Sequence, residues 1–202
     1  MERTWLGALR DVFRSAARHK VISALVAVCV VATFTVITMI GSTSHAVSGL
    51  NAEGVGAIIP AGKPAAPSFS FPELGHPGQQ VSLADYAGKP LIVNFFASWC
   101  PPCKQETPML ARFYRTEHGS VPLVGMDEND TKANALSFAK ANGVTYPLAW
   151  DPGIVAGSAY DVAAMPQTFF LNAGHRIVYH VIGQITTAEL HQGIALATGA
   201  SS

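Results

Sequence analysis

A fifteen-residue stretch in the middle of the chain, NFFASWCPPCKQETP (Asn94–Pro108), constrains the fold more than any other part of the sequence. It overlaps the apolar run LIVNFF (Leu91–Phe96), which is typical of a central strand covered on both faces. The segment from Pro101 to Glu117 has an apolar face, and its two leading prolines suit the first positions of a helix, where the N–H that proline lacks would be unpaired anyway. The pattern predicts a buried strand that runs directly into a helix, with Cys100 at the helix N-terminus.

Strand and helix signals continue to alternate along the second half of the chain. The predicted elements are a buried strand at Val121–Met126, a helix from Asp130 or Thr131 to Asn142–Gly143, a short helix at Ile154–Tyr160, strands at Gln167–Leu171 and Arg176–Ile182 joined by a turn at Asn172–His175, and a last helix that begins with a capping box of Thr186 and Glu189. In the helix after Thr131 we expect Leu136 and Ala139 to face the core. This order of elements is typical of an α/β fold.

An apolar segment of 20 residues without a charge, Val21–Ile40, lies near the N-terminus. As a helix it would extend about 30 Å, the hydrocarbon thickness of a bilayer. The basic residues before it are Arg3, Arg10, Arg14, Arg18 and Lys20, and after it neither Lys nor Arg occurs before Lys63. By the positive-inside rule the N-terminus is cytoplasmic and the chain after Ile40 is exported.

A cleaved signal peptide is the alternative for this N-terminal segment, because Ser44–Ala46 offers small residues at a suitable spacing. We expect a retained anchor instead, since signal peptides have apolar cores of only about 7–15 residues. The range 41–66 is rich in Gly, Ala, Ser and Pro and is expected to be a flexible linker. The expected organisation is therefore a cytoplasmic segment 1–20, a transmembrane signal-anchor 21–40, the linker 41–66 and an extracytoplasmic domain 67–202, in a single-pass protein of the cell membrane.

The net charge gives no argument for one class of partner, and the cysteine count excludes one class of protein. The formal net charge is zero, which gives no support for a nucleic-acid partner. The three cysteines, Cys29, Cys100 and Cys103, are too few for a disulfide-stapled secreted scaffold, and Cys29 lies inside the apolar segment. The chemistry must therefore be inferred from the remaining two cysteines.

The pair Cys100 and Cys103 could be half of a metal site, two inert buried thiols or a redox pair. A structural zinc site needs four ligands, and the candidates His175 and His180 lie about 70 residues downstream. At a helix N-terminus, unpaired N–H groups and the macrodipole favour a thiolate at Cys100, and Cys103 one turn later is close enough to form a disulfide. The pattern favours redox chemistry, and it gives no reason to expect a metal or another cofactor.

The same stretch resembles the active-site segment of thioredoxin-fold proteins, specifically the membrane-anchored, exported thiol-disulfide oxidoreductases of the TlpA, ResA and CcmG (DsbE-like) type. Trp99 matches the tryptophan before the first cysteine of that family, and Pro108 matches the proline that kinks its active-site helix. The segment AMPQTFFLNAGHRIVYHVIG resembles the one that carries the family's cis-proline; by this match Pro166 is the cis-proline and Met165 precedes it. The resemblance covers about residues 67–197. It implies a thioredoxin-like fold, with a central mixed sheet and helices on both faces.

The resemblance extends to one acidic residue. Thioredoxin itself has a buried aspartate at the position of Asn94, whereas the exported reductase branch often has asparagine there and a glutamate three residues after the second cysteine. Glu106 matches that glutamate, which in the family tunes the thiol pKa values and assists proton transfer. The alternative for Glu106 is an acid in solvent near the start of the helix, where it would interact favourably with the helix dipole.

The expected mechanism is dithiol–disulfide exchange. Cys100 would attack a substrate disulfide and Cys103 would then attack Cys100, releasing the reduced substrate. Pro166, if cis, would hold the backbone of Met165 beside Cys100, where a substrate segment pairs as an added strand. The other residues expected to bind substrate are Trp99, Pro101 and Pro102.

The resemblance implies a reductant of disulfides in exported proteins such as apocytochrome c, with a membrane partner as the electron donor. The nearest alternative is an oxidant in the disulfide formation of exported proteins, because thioredoxin-like and DsbA-like potentials differ by roughly 150 mV on the same CxxC framework. A further alternative is a binding module that holds Cu(I) through the two thiolates.

Overall fold

The computed structural model describes residues 55–58, 64–117 and 121–200. Its strands are β1 (Val55–Ile58), β2 (Ser70–Pro72), β3 (Gln80–Ser82), β4 (Leu91–Phe96), β5 (Leu123–Glu128), β6 (Leu148–Asp151), β7 (Gln167–Leu171) and β8 (Ile177–Ile182). The helices are α1 (Pro101–Thr116), α2 (Lys132–Ala141), α3 (Val155–Ala159) and α4 (Thr187–Thr198), with a 3-10 helix at Leu83–Tyr86.

The strands form a mixed six-stranded sheet in the order β1-β8-β7-β4-β5-β6, and β2 and β3 form a separate hairpin. Strands β4, β5 and β6 are parallel, whereas β7, β8 and β1 are added antiparallel. All six residues of β4 are buried, as expected for a strand with neighbours on both sides and cover on both faces. The carboxyl ends of β4, β5 and β6 and the amino end of β7 therefore lie at one edge of the sheet, which we call the active edge.

Each face of the sheet has its own hydrophobic core. Ile92 and Phe96 of β4 pack with α1, α2 and α4 on one face, which we call the α1 face. Val93 and Phe95 pack on the other face with α3, the 3-10 helix and the β2–β3 hairpin. The predicted α/β fold with a mixed sheet and helices on both faces is thus confirmed.

Several element boundaries differ from the predictions. The second central strand is Leu123–Glu128 rather than Val121–Met126, and the inward face of α2 consists of Ala135, Phe138 and Ala139, whereas Leu136 is 41% exposed. The prediction for Leu136 is wrong because the apolar stripe of α2 follows i, i+3 and i+4 from residue 135.

The structure also differs from the predicted linker at the four residues of β1 and at Pro64–Ala66, where Ala65 bridges Arg176 and the Ala66 N–H donates to the His175 carbonyl at 2.9 Å. Strand β1 lies within 41–66 and pairs antiparallel with β8, with Gly56 opposite Val181. Its sequence, VGAI, is too short to predict a strand by itself, and pairing with an existing sheet edge stabilises it. In the part of the chain that the structure describes, no helix is long and apolar enough to cross a bilayer. The predicted anchor, Val21–Ile40, lies outside the described residues.

Candidate active site

The two cysteines of the CPPC motif form a disulfide at the start of α1, with Sγ atoms 2.07 Å apart. Cys100 is the N-cap residue of the helix, and its Sγ accepts a hydrogen bond of 3.3 Å from the backbone N–H of Cys103. Cys100 is 3% exposed and Cys103 is fully buried. The sulfur of Cys100 therefore lies nearer the surface and next to unpaired helix N–H groups, which stabilise a thiolate once the bond is reduced.

The loop before Cys100 is attached to the loop between β5 and α2. The indole N–H of Trp99 donates to the backbone carbonyl of Asn129 at 3.0 Å, and the Ser98 N–H donates to the Asp130 carboxylate at 2.8 Å. Trp99 nevertheless remains 52% exposed, so one face of its ring is free to contact a bound polypeptide.

The prolines of α1 have different environments. Pro101 is exposed and Pro102 is half-buried, so both lie beside the disulfide at or near the surface. Pro108 lies inside the helix, where it cannot donate to the carbonyl of Lys104. Just before it, the Thr107 hydroxyl donates to the Cys103 carbonyl at 2.7 Å and so anchors the first turn.

Glu106 lies one helical turn beyond Cys103 on the buried side of α1 and is only 1% exposed. The alternative of a solvated acid near the start of the helix is therefore wrong. One carboxylate oxygen accepts from Asn94 Nδ2 and the other from the Ile185 N–H, both at 2.8 Å. Burial raises the pKa of Glu106 to about 7, although these two hydrogen bonds lower it. Glu106 is thus an acid that exchanges its proton near neutral pH.

Asn94 links Glu106 to the centre of the sheet. Its side-chain amide also donates to the Thr168 hydroxyl at 3.0 Å, so a polar chain crosses from α1 through β4 to β7. Asn94 and Thr168 are both fully buried, and the Oδ1 atom of Asn94 has no hydrogen-bond partner among the described residues.

The Met165–Pro166 peptide bond is cis, as the resemblance predicts. Pro166 is buried immediately before β7, whose Gln167 pairs with Phe95 near the carboxyl end of β4. Met165 is half-buried and packs against the apolar cluster that contains both cysteines. The fold therefore brings the cis-proline segment and the CPPC motif to the same active edge.

Sequence reasoning missed the acidic residues that follow β5. Asp127 is fully buried, and burial together with the charges of Asp130 and Glu128 raises its pKa to about 8. Burial, followed by the charge of Asp151, raises the pKa of Glu128 to about 7. The run DEND at the carboxyl end of a buried strand could have marked them, because such strand ends meet at one edge of a sheet. Among the described residues, no group of three or more His, Cys, Asp or Glu side chains is arranged to hold a metal ion.

Comparison with known proteins agrees with this geometry. The family model described as Redoxin matches residues 60–193. The thiol-disulfide oxidoreductase ResA of Bacillus subtilis is 32% identical over 127 residues, which cover 62% of this chain and 70% of the relative. The thiol:disulfide interchange protein DsbE of Allochromatium vinosum is 38% identical over 139 residues, covering 66% of this chain and 76% of the relative. The crystal structure of a DsbF homologue from Corynebacterium diphtheriae aligns with a TM-score of 0.63 at 26% identity, over 74% of this chain and 95% of that one.

Proposed function

The chain belongs to the Redoxin family and is a thiol-disulfide oxidoreductase of the ResA and DsbE type, and from that premise we propose that it reduces disulfides in exported proteins. The observation that carries the proposed direction is the burial of Glu106 one turn from Cys103. A CxxC protein is a strong oxidant when its reduced, thiolate form is stabilised. A buried carboxyl close to the thiols opposes that stabilisation, because its ionised form repels a thiolate. This favours a low potential and hence a reductant.

In the proposed reaction the Cys100 thiolate attacks one sulfur of a substrate disulfide. A mixed disulfide forms and the other substrate sulfur leaves as a thiolate. Cys103, deprotonated in the step, then attacks Cys100 Sγ, so that the Cys100–Cys103 bond forms and the second substrate sulfur is released. Two electrons pass to the substrate. We propose that Glu106, which titrates near neutral pH, accepts the proton of Cys103 and returns it to a departing substrate thiolate, while the other substrate thiolate takes from solvent the proton that Cys100 lost on ionising.

The proposed substrate segment binds as an extended chain at the active edge. It pairs with the backbone of Met165, held by Pro166, while Trp99 and the prolines of the motif contact its side chains. The exposure of Trp99 supports this arrangement. The substrate class we propose is oxidised exported proteins, including the haem-attachment cysteines of apocytochrome c, to which the family resemblance points.

Two experiments test the reaction and its direction. A Cys103→Ser variant should accumulate mixed disulfides through Cys100, and a Cys100→Ser variant should not. In defined thiol–disulfide buffers, the reduction potential should lie near or below the thioredoxin value of about −270 mV. A potential near the DsbA value of about −120 mV would refute the reductant role and support an oxidant.

One observation favours that oxidant. The Cys103 N–H and the start of α1 both face Cys100 Sγ, an arrangement that stabilises the reduced thiolate. The potential therefore depends on the balance between this stabilisation and the opposing effect of Glu106.

We propose that Val21–Ile40 anchors the chain in the cell membrane with the catalytic domain outside the cytoplasm. The support is the charge-free apolar run and the basic residues before it. The full-length chain should remain in the membrane fraction after an alkaline carbonate wash, and protease added to spheroplasts should digest the domain. Release of the protein by the wash, or protection from protease, would refute the anchor or its orientation.

We also propose a membrane electron donor, because a chain with one dithiol must be re-reduced after each turnover. Sustained turnover in membranes stripped of all other thiol proteins would refute this partner.

A further inference from the structure

Asp127 is a buried acid that the exchange reaction does not use. It lies near the carboxyl end of β5 and pairs across the sheet with Phe96, the last residue of β4 before the active-site loop. Side chains alternate along β5, so Asp127 shares the α1 face with Leu123 and Gly125. Asp127 is fully buried, and neither of its carboxyl oxygens has a hydrogen-bond partner among the described residues. A buried polar group without a partner is costly, and its presence needs an explanation.

Asp130, three residues after Asp127 in the chain, holds the active-site loop. Its carboxylate accepts hydrogen bonds from the N–H groups of Ser98 and Thr131, at 2.8 and 2.7 Å. Its backbone carbonyl accepts from the Trp150 indole at 3.1 Å. Asp130 is 8% exposed, so these bonds are largely shielded from water. A change in the charge beside Asp130 therefore affects the loop that ends at Cys100.

Asp127 and Asp130 interact electrostatically. Burial is the main cause that raises the pKa of Asp127 to about 8, and the charges of Asp130 and Glu128 add to it. At neutral pH Asp127 is consequently protonated. At higher pH it becomes a second anion beside the carboxylate that binds Ser98.

The other described elements around Asp127 place no cation in a salt bridge with its carboxylate, and the Lys132 ammonium lies instead 4.4 Å from the ring centroid of Trp150, which pairs with Asp127 across the sheet. Strand β4 has no charged side chain, and β6 contributes Asp151, whose charge acts on Glu128. On α1, Glu106 is bound to Asn94 and Ile185. The remaining charged residues of α1 and α2 are all exposed, namely Lys104, Arg112, Arg115, Lys132 and Lys140. Among the described residues, no cation forms a salt bridge with Asp127.

We propose that Asp127 is a positioning residue for the cysteine pair. When Asp127 is neutral, the Asp130 carboxylate holds the loop Ala97–Trp99 in its reactive geometry. When Asp127 is ionised, it repels the Asp130 carboxylate and loosens that loop. The effect of Asp127 is transmitted through the hydrogen bond between Asp130 and Ser98, and Asp127 does not contact the reacting sulfurs. Ionisation releases one proton to solvent and changes no oxidation state. The inference rests on the proposed dithiol chemistry of Cys100 and Cys103, but not on the direction of electron flow.

The test uses the oxidised full-length chain in detergent between pH 6 and pH 9.5. Two quantities are followed: the rate constant for reduction of the disulfide by dithiothreitol, divided by the thiolate concentration of the reagent, and the tryptophan fluorescence. For the wild type we expect the normalised rate constant to fall about fivefold, with a fluorescence transition near pH 8 because Trp99 and Trp150 both bind the loop after β5. A wild-type rate constant that does not fall would overturn the proposal.

Asp127→Asn is the decisive variant, because the amide has the size of the protonated acid and cannot ionise. It should match the wild type within about twofold at pH 6.5 and show neither the fall nor the transition at higher pH. The matched control is Glu128→Gln, which removes the neighbouring buried acid on the opposite face of the sheet. It should retain both the fall and the transition, with the midpoint at lower pH because the charge of Glu128 helps to raise the pKa of Asp127. If Asp127→Asn keeps the wild-type profile, or if Glu128→Gln also abolishes it, the assignment to Asp127 is wrong.

A second variant keeps the proposal testable if Asp127→Asn does not fold. Asp130→Asn removes the anion that ionised Asp127 would repel, so the fall in the normalised rate constant and the fluorescence transition should both be lost. A wild-type fall and transition in this variant would overturn the coupling between the two acids. None of these results depends on the reduction potential, so a high potential would refute the reductant role and leave this inference standing.

Discussion

Glu106 is the residue with the clearest expected effect on the exchange reaction. Because its pKa is raised to about 7, it is partly protonated at neutral pH, where general acid–base catalysis is most effective. Glutamine cannot titrate. In Glu106→Gln we therefore expect the rate of exchange with a disulfide substrate to fall roughly tenfold or more at pH 7, and the inflection of the pH–rate profile near pH 7 to disappear. The measurement is a pH–rate profile from pH 5.5 to pH 8.5.

The matched control is Glu117→Gln, which changes an exposed carboxylate at the C-terminal end of the same helix. This variant should follow the wild-type profile. If Glu106→Gln retained the inflection near pH 7, the proton transfer would have to be assigned to another group.

The buried acids also make stability depend on pH in an unusual direction. Burial raises the pKa values of Glu106, Asp127 and Glu128 far above those of the unfolded chain. The folded protein therefore holds protons that the unfolded chain has lost, and the free energy of unfolding decreases as pH rises from about 4 to about 8. We expect urea unfolding of the oxidised protein to show a loss of a few kcal/mol between pH 5 and pH 8.

Asp127→Asn should reduce this slope and be more stable than the wild type at pH 8, by roughly 1–3 kcal/mol. A wild-type stability that increased over the same range would show that these acids are ionised in the folded state.

At the residue scale, local motifs identify the reacting residues, but they do not show what surrounds an individual acidic side chain. Cys100, Cys103 and Pro166 can be identified from local motifs. The environment of Glu106 cannot, because one of its two hydrogen-bond donors, the Ile185 N–H, is 79 residues away. The burial of Asp127 likewise results from strand pairing and helix packing, which one short acidic run does not reveal.

At the scale of elements, the short helix α3 depends on a single glycine. A Cβ on Gly157 would overlap the carboxylate of Glu128, which is buried beneath the helix. Gly157→Ala should therefore displace α3 from the sheet and lower the free energy of unfolding by roughly 1–3 kcal/mol. Urea unfolding at pH 6 measures the change.

Gly153→Ala is the matched control, since its Cβ would meet Val155 and Asp151 only at 3.6 and 3.9 Å, which is ordinary contact. Its effect should stay within about 0.5 kcal/mol. If the two substitutions had equal effects, Gly157 would not be needed to make room for the Glu128 carboxylate.

Elements with strong local signals are the ones that the sequence predicts. The apolar run of β4, the prolines at the start of α1 and the capping box of Thr186 and Glu189 in α4 all appear in the structure. The four-residue strands β1 and β6 and the β2–β3 hairpin carry too little pattern, because pairing with neighbouring strands stabilises them. The predicted turn Asn172–His175 is present, with His175 in the left-handed conformation, and the His175 ring contacts the Tyr86 carbonyl at 3.0 Å.

At the scale of the whole molecule, the active edge collects segments that are far apart in sequence. The loop before Cys100, the acidic loop after β5 and the cis-proline segment before β7 meet because β4, β5 and β7 are neighbours in the sheet. Topology therefore determines the site, and the sequence predicts it only as far as the family resemblance supplies that topology.

The attachment of β1 gives a test at this scale. A Cβ on Gly56 would overlap the hydroxyl and ring of Tyr179, which is buried and whose hydroxyl reaches Gln192 on α4. Gly56→Val should detach β1, so that the amides of β8 that pair with it exchange hydrogen roughly tenfold faster or more. Ala57→Val is the control, because Ala57 is exposed and points to the opposite face. Unchanged exchange in Gly56→Val would mean that Tyr179 moves aside without loosening the strand.

The fit between Gly56 and Tyr179 has a consequence for how the molecule behaves among other polypeptides. Without β1, strand β8 would present a row of unsatisfied backbone groups, and such an open edge invites pairing with foreign chains and aggregation. A competing strand in the same register would need a residue without a side chain opposite Val181. In the observed position of Tyr179, only a residue without a Cβ fits opposite Val181, which favours the chain's own β1 over a foreign strand in this register.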